Sequence, residues 1–408
     1  MSSSLILVLI VIGGYVAARL AVDFIARRFL VVAGAEYLLL GILLGPRASG
    51  LMSSNVVDSF GPFITLAIGW MGAVIGAELY LPSLLRIRGV VYQTALLEAL
   101  LTTATVSGVM YAILIFLLDV SPPVALAPSV ILGAIAATTS SSGVAVAVRR
   151  LAREGAARTP VLQQVRVAAG TDGIVAILVF SLLLCMTHPA PPAGIRPPTP
   201  TEWAVITIAI GVIAGILYHL FLGSERDPDR LFIALAAAIT LASGTAIYAR
   251  LSPLLPTMLI GAILVNTSQN RTAIATALHR VQRPLYLVLL IFAGAAWRPS
   301  ARASVWLILV YVIIRLGAKL GSARIATRLG GRVDELGLNW GRALMGHGSL
   351  AVAIALNYRI LDSSALPNLV FTAALVSVFL TDVLSARFVR NAVQGHPFQQ
   401  QRAIGSAR

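Results

Sequence analysis

The chain has 408 residues, of which 58% are hydrophobic and 12% are charged, and its mean hydropathy is +0.88. About a quarter of the residues in an ordinary soluble domain are charged, so this composition excludes a soluble globular protein, and the low polarity excludes a disordered one. The single cysteine, Cys185, cannot form a disulfide within the chain, which excludes a disulfide scaffold. The composition therefore predicts an all-α polytopic membrane protein.

Apolar runs of bilayer-spanning length, separated by proline, glycine or charge, predict about thirteen transmembrane helices. Their predicted bounds are 5–22, 29–45, 60–80, 90–118, 122–148, 161–186, 202–222, 230–249, 253–268, 284–297, 303–323, 341–360 and 365–386. The first run has neither a basic n-region nor a small-residue cleavage site, so it is interpreted as a retained helix and not as a signal peptide.

The 31 Lys and Arg residues outnumber the 16 Asp and Glu residues, but they lie in short clusters between the apolar runs. This pattern indicates membrane topology and not nucleic-acid binding. The connections on one side are rich in arginine, from Arg27 and Arg28 to the tail that begins at Arg387, whereas the opposite connections are poor in it. The few arginines of the poor side are Arg47, Arg196, Arg250, Arg298 and Arg302. The positive-inside rule then predicts an outer N-terminus and a cytoplasmic C-terminus.

Two segments of the first half are echoed in the second half in the same order. LLLGILLGP at 38–46 resembles LIGAILVN at 259–266, and WMGAVIGAEL at 70–79 resembles LIFAGAAW at 290–297. The paired segments are predicted to cross the membrane in opposite senses, which is typical of an inverted repeat with its substrate site near the midplane. Short echoes rich in Gly and Ala also arise by chance. The proline-rich stretch at 188–200 is predicted to be an extended linker between the halves.

Asp172 is the one aspartate predicted to lie deep within a span, with apolar residues on both sides. A charged side chain near the bilayer centre costs about 3 kcal/mol on insertion scales, so such a residue is a functional candidate. We take Asp172 as the binding site for a proton or a monovalent cation. The alternative is an aspartate that only forms hydrogen bonds between packed helices.

The preceding span contains Thr138 to Gly143, six consecutive small or hydroxyl-bearing residues in the middle of a crossing. Their local hydrogen bonds compete with a regular helix, so an interruption is predicted, with Thr139, Ser140 and Ser141 providing oxygen ligands near Asp172. The alternative is that these small residues only allow close helix packing.

Gly346, His347, Gly348 and Ser349 are predicted to form the second-half counterpart of this interruption. His347 titrates near neutral pH when unperturbed, so it is a possible pH-sensitive residue, although a lone histidine is more often structural.

Arg315 is the deepest basic residue of the second half. Three partners are open to it: Glu98, carbonyl groups at a broken helix, or Asp172. Lys319, one turn further, is expected to snorkel toward the interface. Arg166 is expected near the cytoplasmic mouth of the path to Asp172.

Enzymatic signatures such as a phosphate-binding loop, a dinucleotide fingerprint or a nucleophile elbow do not occur in the sequence, and its histidines are too scattered to suggest a metal site. We therefore expect no enzymatic activity and no cofactor.

With these residues in hand, the chain resembles the monovalent cation:proton antiporter superfamily, especially its branch of bacterial sodium/proton antiporters and potassium efflux proteins. The resemblance rests on the order and spacing of several motifs. These are GILLGP at 41–46, TTSSSG at 138–143 before VRRLAREG, VRVAAGTDG around Asp172, SPLLPTMLIGAILVN at 252–266 and FLTDVLS at 379–385.

This resemblance implies one membrane transport domain over 1–408, with two interrupted helices crossing beside Asp172. A scaffold or dimerisation part would comprise 1–89 and 223–300, and a mobile core 90–187 and 301–390. Residues 188–222 would form a linker and a connecting helix, and 391–408 a cytoplasmic tail. The sequence departs from the family at two positions: Thr171 replaces the usual Asp, Asn or Gln before the aspartate, and Ser349 replaces an acidic residue.

The leading hypothesis is a homodimeric exchanger of Na⁺ or K⁺ for protons in the bacterial inner membrane, acting in pH homeostasis. It would work by alternating access at Asp172 and without net charge movement, since Thr171 cannot ionise. The alternatives are a non-transporting membrane sensor or subunit with the same fold, and a sodium-coupled organic anion symporter.

Overall fold

A computed structural model describes residues 35–53, 59–153, 159–189, 198–222, 227–298, 303–362, 365–382 and 385–394. These residues form sixteen α-helices, one short 3₁₀ helix (η1) and no strands. The helices are α1 (Ala35–Leu44), α2 (Gly61–Ala77), α3 (Leu81–Leu84), α4 (Gly89–Phe116), α5 (Pro122–Ala137), α6 (Ser141–Arg153), α7 (Pro160–Met186), α8 (Pro200–Leu222), α9 (Pro228–Tyr248), α10 (Leu254–Thr267), α11 (Arg271–Ala296), α12 (Ala303–Leu329), α13 (Val333–Leu336), η1 (Trp340–Leu344), α14 (Ser349–Leu361), α15 (Ala365–Asp382) and α16 (Ser385–Gln394).

Proline and polar residues set several helix beginnings. Four long helices, α5, α7, α8 and α9, start at a proline, where the missing N–H group costs nothing and the fixed φ favours the helix. The Thr159 side chain accepts a hydrogen bond from the Leu162 amide at the start of α7, and Asp227 accepts one from the Asp229 amide at the start of α9. These signals explain why the predicted and observed starts agree closely.

Five of the described helices are long and apolar enough to cross a membrane. They are Gly89–Phe116, Pro160–Met186, Pro200–Phe221, Asp229–Tyr248 and Val305–Leu329. Five shorter apolar helices accompany them, among them the two pieces that begin at Pro122 and Ser349 beside the interruptions. The predicted span 5–22 and most of the linker 188–200 lie outside the described residues.

The predicted span 284–297 is too short. Helix α11 begins at Arg271 and continues through Pro284, because a hydrogen-bonded helix extends beyond its apolar stretch into a polar environment. Hydropathy reports where the apolar surface ends and not where the hydrogen bonding ends.

The helices pack in two groups. In the first group, α2 packs against α9 and α10, α8 against α10, and α1 against α11. In the second group, α4 packs against α5, α7 and α12, and α14 against α15. The echoing segments contact the partners of the other pair: helix α1 with 38–46 packs on α11 with 290–297, and helix α2 with 70–79 packs on α10 with 259–266.

Close approach between α2 and α10 depends on glycine. A methyl group on Gly76 would overlap the carbonyl oxygen of Met258, and one on Gly261 would overlap the carbonyl oxygen of Ala73. Between apolar helices in a membrane, such backbone contact through small residues supplies the packing energy, because lipid is as apolar as the protein surface.

Replacing Gly76 with alanine is therefore expected to lower the melting temperature of the purified protein in detergent, since overpacking costs about 1–3 kcal/mol. Gly108→Ala is the matched control, because a methyl group there meets nothing within 4 Å and alanine favours a helix. Equal melting temperatures for the two variants would contradict the close packing of α2 on α10.

Candidate ion-binding site

Two interruptions of the helices meet in the middle of the second helix group. Helix α5 ends at Ala137 and α6 begins at Ser141, and η1 ends at Leu344 and α14 begins at Ser349. The amide of Ser140 donates a 2.8 Å hydrogen bond to the carbonyl of Gly346, which joins the two non-helical segments. Both interruptions predicted from the sequence are confirmed, and their residues from Thr138 to Ser140 are buried in protein, as membrane-depth backbone of this kind requires.

Gly348 allows the second interruption to turn. Its φ of 79° lies in the left-handed region that favours glycine, and a Cβ atom at this position would lie 2.9 Å from the Cα atom of Ser140. The two segments therefore touch backbone to backbone at this residue.

Arg315, fully buried on α12, binds the carbonyl ends of both interrupted helices. Its guanidinium donates to the carbonyl of Met345 at 2.6 Å and to the carbonyl of Thr138 at 3.2 Å. The sequence left three possible partners for Arg315, and in the structure its guanidinium binds the backbone carbonyls. A cation at this place also opposes the partial negative charge of helix C-termini.

Asp382, in the last turn of α15, binds the start of α14. Its Oδ1 accepts hydrogen bonds from the amides of His347 at 2.7 Å and Gly348 at 3.0 Å. The motif FLTDVLS contains this aspartate, but its role was not deduced from sequence, because nothing local connects it with the preceding interruption. An anion at a helix N-terminus complements Arg315 at the C-termini of the other pieces.

His347 is fully buried, and both of its ring nitrogens have hydroxyl partners. Its Nδ1 lies 3.2 Å from Thr138 Oγ1, and its Nε2 lies 2.7 Å from Ser377 Oγ. The Thr138 hydroxyl already donates to the Ile135 carbonyl, so Nδ1–H donates to Thr138 and Nε2 accepts from Ser377. The neutral imidazole therefore satisfies every partner, which favours a structural role.

Asp172, on α7, is fully buried beside the first interruption. Its Oδ2 accepts a short hydrogen bond from Thr139 Oγ1 and lies 2.8 Å from Lys319 Nζ. Its Oδ1 is buried and has no hydrogen-bond partner among the described residues. One oxygen of a buried carboxylate is thus open to a proton or a cation.

Lys319 was expected to snorkel, and that expectation is wrong. The side chain is fully buried on α12, and Nζ contacts Asp172, Thr139 at 3.2 Å and Glu98 Oε1 at 3.3 Å. The sequence held a signal for this, because Lys319 is four residues after Arg315 and therefore lies on the same helix face.

Most of the other candidate site residues line one of two cavities. A narrow cavity at the contact between the helix groups is lined by Thr139, Ser141 and Ser349 from the second group and by Gln282 from α11. Ser140 Oγ accepts a hydrogen bond from the amide of Gly143 in the first turn of α6.

A larger cavity of about 490 Å³ lies beside α7 and is lined by Thr171, Arg166 and Glu78. The Thr171 hydroxyl donates to the Val167 carbonyl at 2.9 Å, so this hydroxyl bonds within its own helix. The structure therefore brings Asp172, Thr139, Lys319 and Glu98 together, whereas Thr171 and Arg166 face this second space.

Comparisons with known proteins identify the family and the fold. The family model described as "Sodium/hydrogen exchanger, transmembrane" matches residues 37–389. The structure is similar to that of the sodium proton antiporter MjNhaP1 from Methanocaldococcus jannaschii, with a TM-score of 0.63, 15% sequence identity, and coverage of 97% of this chain and 99% of that chain. At this identity, the likeness shows the fold. A search of curated proteins finds no match.

Replacing Asp382 with asparagine is expected to lower the melting temperature, because the asparagine oxygen accepts the hydrogen bonds of the His347 and Gly348 amides without the negative charge, a loss of about 1 kcal/mol. Asp334→Asn, at an exposed position, is the control. Thermal unfolding of both variants in detergent measures the difference. If Asp382→Asn unfolds at the temperature of the control, the carboxylate does not stabilise the interruption.

Proposed function

The chain belongs to the sodium/hydrogen exchanger family, and from this membership we propose that it exchanges a monovalent cation, Na⁺ or K⁺, for protons by alternating access at Asp172. It is an integral membrane protein of a transporter family, and cation:proton exchange is the activity that the family and the similar antiporter structure support.

The observation that carries the proposal is the environment of Asp172. A buried carboxylate with one unpartnered oxygen lies beside an interrupted helix whose Thr139 hydroxyl contacts it. Hard monovalent cations require oxygen ligands of this kind. A proton bound to the carboxylate lowers its affinity for a cation, and a bound cation lowers its affinity for a proton. This competition couples the two fluxes.

We propose that Lys319 and the transported cation compete for the same place at Asp172. Its ammonium group lies 2.8 Å from Asp172 Oδ2 and contacts Thr139 Oγ1, which a cation bound there would also use. Thr139, Ser140 and Ser141 would then contribute to the oxygen shell. Thr171, Arg166 and the larger cavity would form an approach from the cytoplasmic side.

The two helix groups suggest which parts move. We propose that α4–α7 and α12–α16 form the core and that α1, α2 and α8–α11 form the scaffold, with an inverted repeat relating the halves. The two equivalent contacts, of 38–46 with the helix of 290–297 and of 70–79 with the helix of 259–266, support this proposal. The proposed homodimer would form through the scaffold, and the N-terminus would lie outside and the C-terminus in the cytoplasm of a bacterial inner membrane.

We further propose that exchange is electroneutral. Thr171 cannot ionise, and Arg315 donates to backbone carbonyls instead of pairing with a carboxylate. One proton on Asp172 then exchanges for one monovalent cation, and the loaded site carries the same charge in both directions of transport.

Asp172→Asn is expected to abolish cation-dependent proton movement in proteoliposomes, because the amide can neither ionise nor release a proton. Asp119→Asn is a matched control, since Asp119 is exposed at the end of α4, and asparagine tolerates its positive φ of 55°. Exchange by a folded Asp172→Asn protein at the rate of the control would refute the assignment of Asp172. Absence of exchange in the wild-type protein would instead favour a non-transporting sensor.

The charge movement is tested by imposing a membrane potential with valinomycin and K⁺ while Na⁺-driven proton flux is recorded. An electroneutral exchanger is expected to show the same rate and end point at every potential, because no net charge crosses the membrane. The matched measurement uses the same vesicles without an imposed potential. A rate and end point that follow the potential would reject one-for-one exchange.

A further inference from the structure

Glu98 is a second fully buried carboxylate at the candidate site, and the proposed exchange does not use it. It lies on α4, and its Oε1 and Oε2 atoms are 3.3 Å and 3.4 Å from Lys319 Nζ. Thr102, one turn later on the same helix, donates a 2.9 Å hydrogen bond to Oε1. The ammonium group of Lys319 therefore lies between carboxylates of two different helices.

A cation bound to Asp172 would repel this ammonium group. If Asp172 were the sole acidic partner, Lys319 would be left as a buried charge without a counter-charge, which is strongly unfavourable. Arg315 does not offer an alternative arrangement, because its guanidinium is held by the carbonyls of Met345 and Thr138. Among the described residues, Glu98 is the other acidic side chain within 4 Å of Nζ.

We infer that Glu98 is a positioning residue that receives the ammonium group of Lys319 when a cation binds Asp172. The inference rests on the proposed function and adds a second partner for Lys319 to it. In this structure, Nζ is closer to Asp172, at 2.8 Å, than to Glu98, at 3.3 Å. A shift of Nζ toward Glu98 frees Asp172 Oδ2 and shortens the second pair.

This arrangement reduces the cost of cation binding. The cation binds Asp172, and Lys319 keeps an anionic partner. In the protein interior an unpaired charge is strongly unfavourable. A proton or a monovalent cation at Asp172 then adds the same single charge.

Glu98→Gln removes the second partner and keeps the shape of the side chain. We expect the apparent affinity for Na⁺ or K⁺ to fall about tenfold, because Lys319 then competes for Asp172 without an alternative. The measurement is the cation concentration that half-maximally raises the melting temperature of the purified protein, since a ligand that binds the folded state stabilises it. Thr102→Val is the matched control, because it removes a hydrogen bond to Glu98 and leaves both charges in place.

A double-mutant cycle separates positioning from a direct or structural role. The Lys319→Met variant has no ammonium group for Glu98 to receive. In this background, Glu98→Gln is expected to change the half-maximal cation concentration less than twofold. An equal tenfold loss in both backgrounds would mean that Glu98 acts on the cation directly and would overturn the inference. An unchanged affinity in Glu98→Gln alone would overturn it as well.

The kinetics of Glu98→Gln give a second measurement that does not require the Lys319 variant to fold. The inference predicts a raised KM for the cation with a maximal rate within about twofold of the wild-type rate, and partial recovery of KM in Glu98→Asp. A lowered maximal rate with an unchanged KM would indicate a structural role and contradict the inference. Wild-type protein that neither binds nor exchanges cations would refute the proposed function itself, so the two failures are distinguishable.

Discussion

The charge of Lys319 is the constraint on which the centre of this structure depends. Its ammonium group is fully buried and lies between Asp172 of α7 and Glu98 of α4, so three helices must keep their places for the charges to remain matched. Buried charges are tolerated only with partners and hydrogen bonds of good geometry. The hydroxyls of Thr139 and Thr102 complete this set from two more positions.

The crossing of the two interrupted helices satisfies the backbone that the interruptions leave open. Arg315 binds carbonyls from both segments, and Asp382 binds amides at the start of α14. These two charges oppose the partial charges of the helix ends that they contact. His347 joins the same crossing to α15 through its hydrogen bond with Ser377.

The surroundings differ between the two sides of Asp172. The polar crossing places Thr139 next to the carboxylate, whereas the contact with α2 and α11 includes a narrow cavity lined by both polar and apolar residues, among them Thr139, Ser141 and Gln282. Polar bonds also join the two helix groups, since Tyr286 of α11 donates to Asp382 and Arg359 of α14 donates to the carbonyl of Ala296.

The sequence by itself predicted the membrane class, the positions of many helices, both interruptions and a buried Asp172 beside the first of them. These follow from local signals: apolar length, helix-breaking residues, and a charge where charge is expensive. It did not determine the partners of Lys319 and Arg315. Both are basic residues one turn apart on α12, so only the rotation and contacts of this helix decide which of them meets a carboxylate. The pairing of Glu98 with a residue 221 positions away, and of Asp382 with the His347 amide, likewise required the tertiary structure. Long-range pairs of this kind leave no periodic or compositional trace, since their geometry is set by the packing of whole helices.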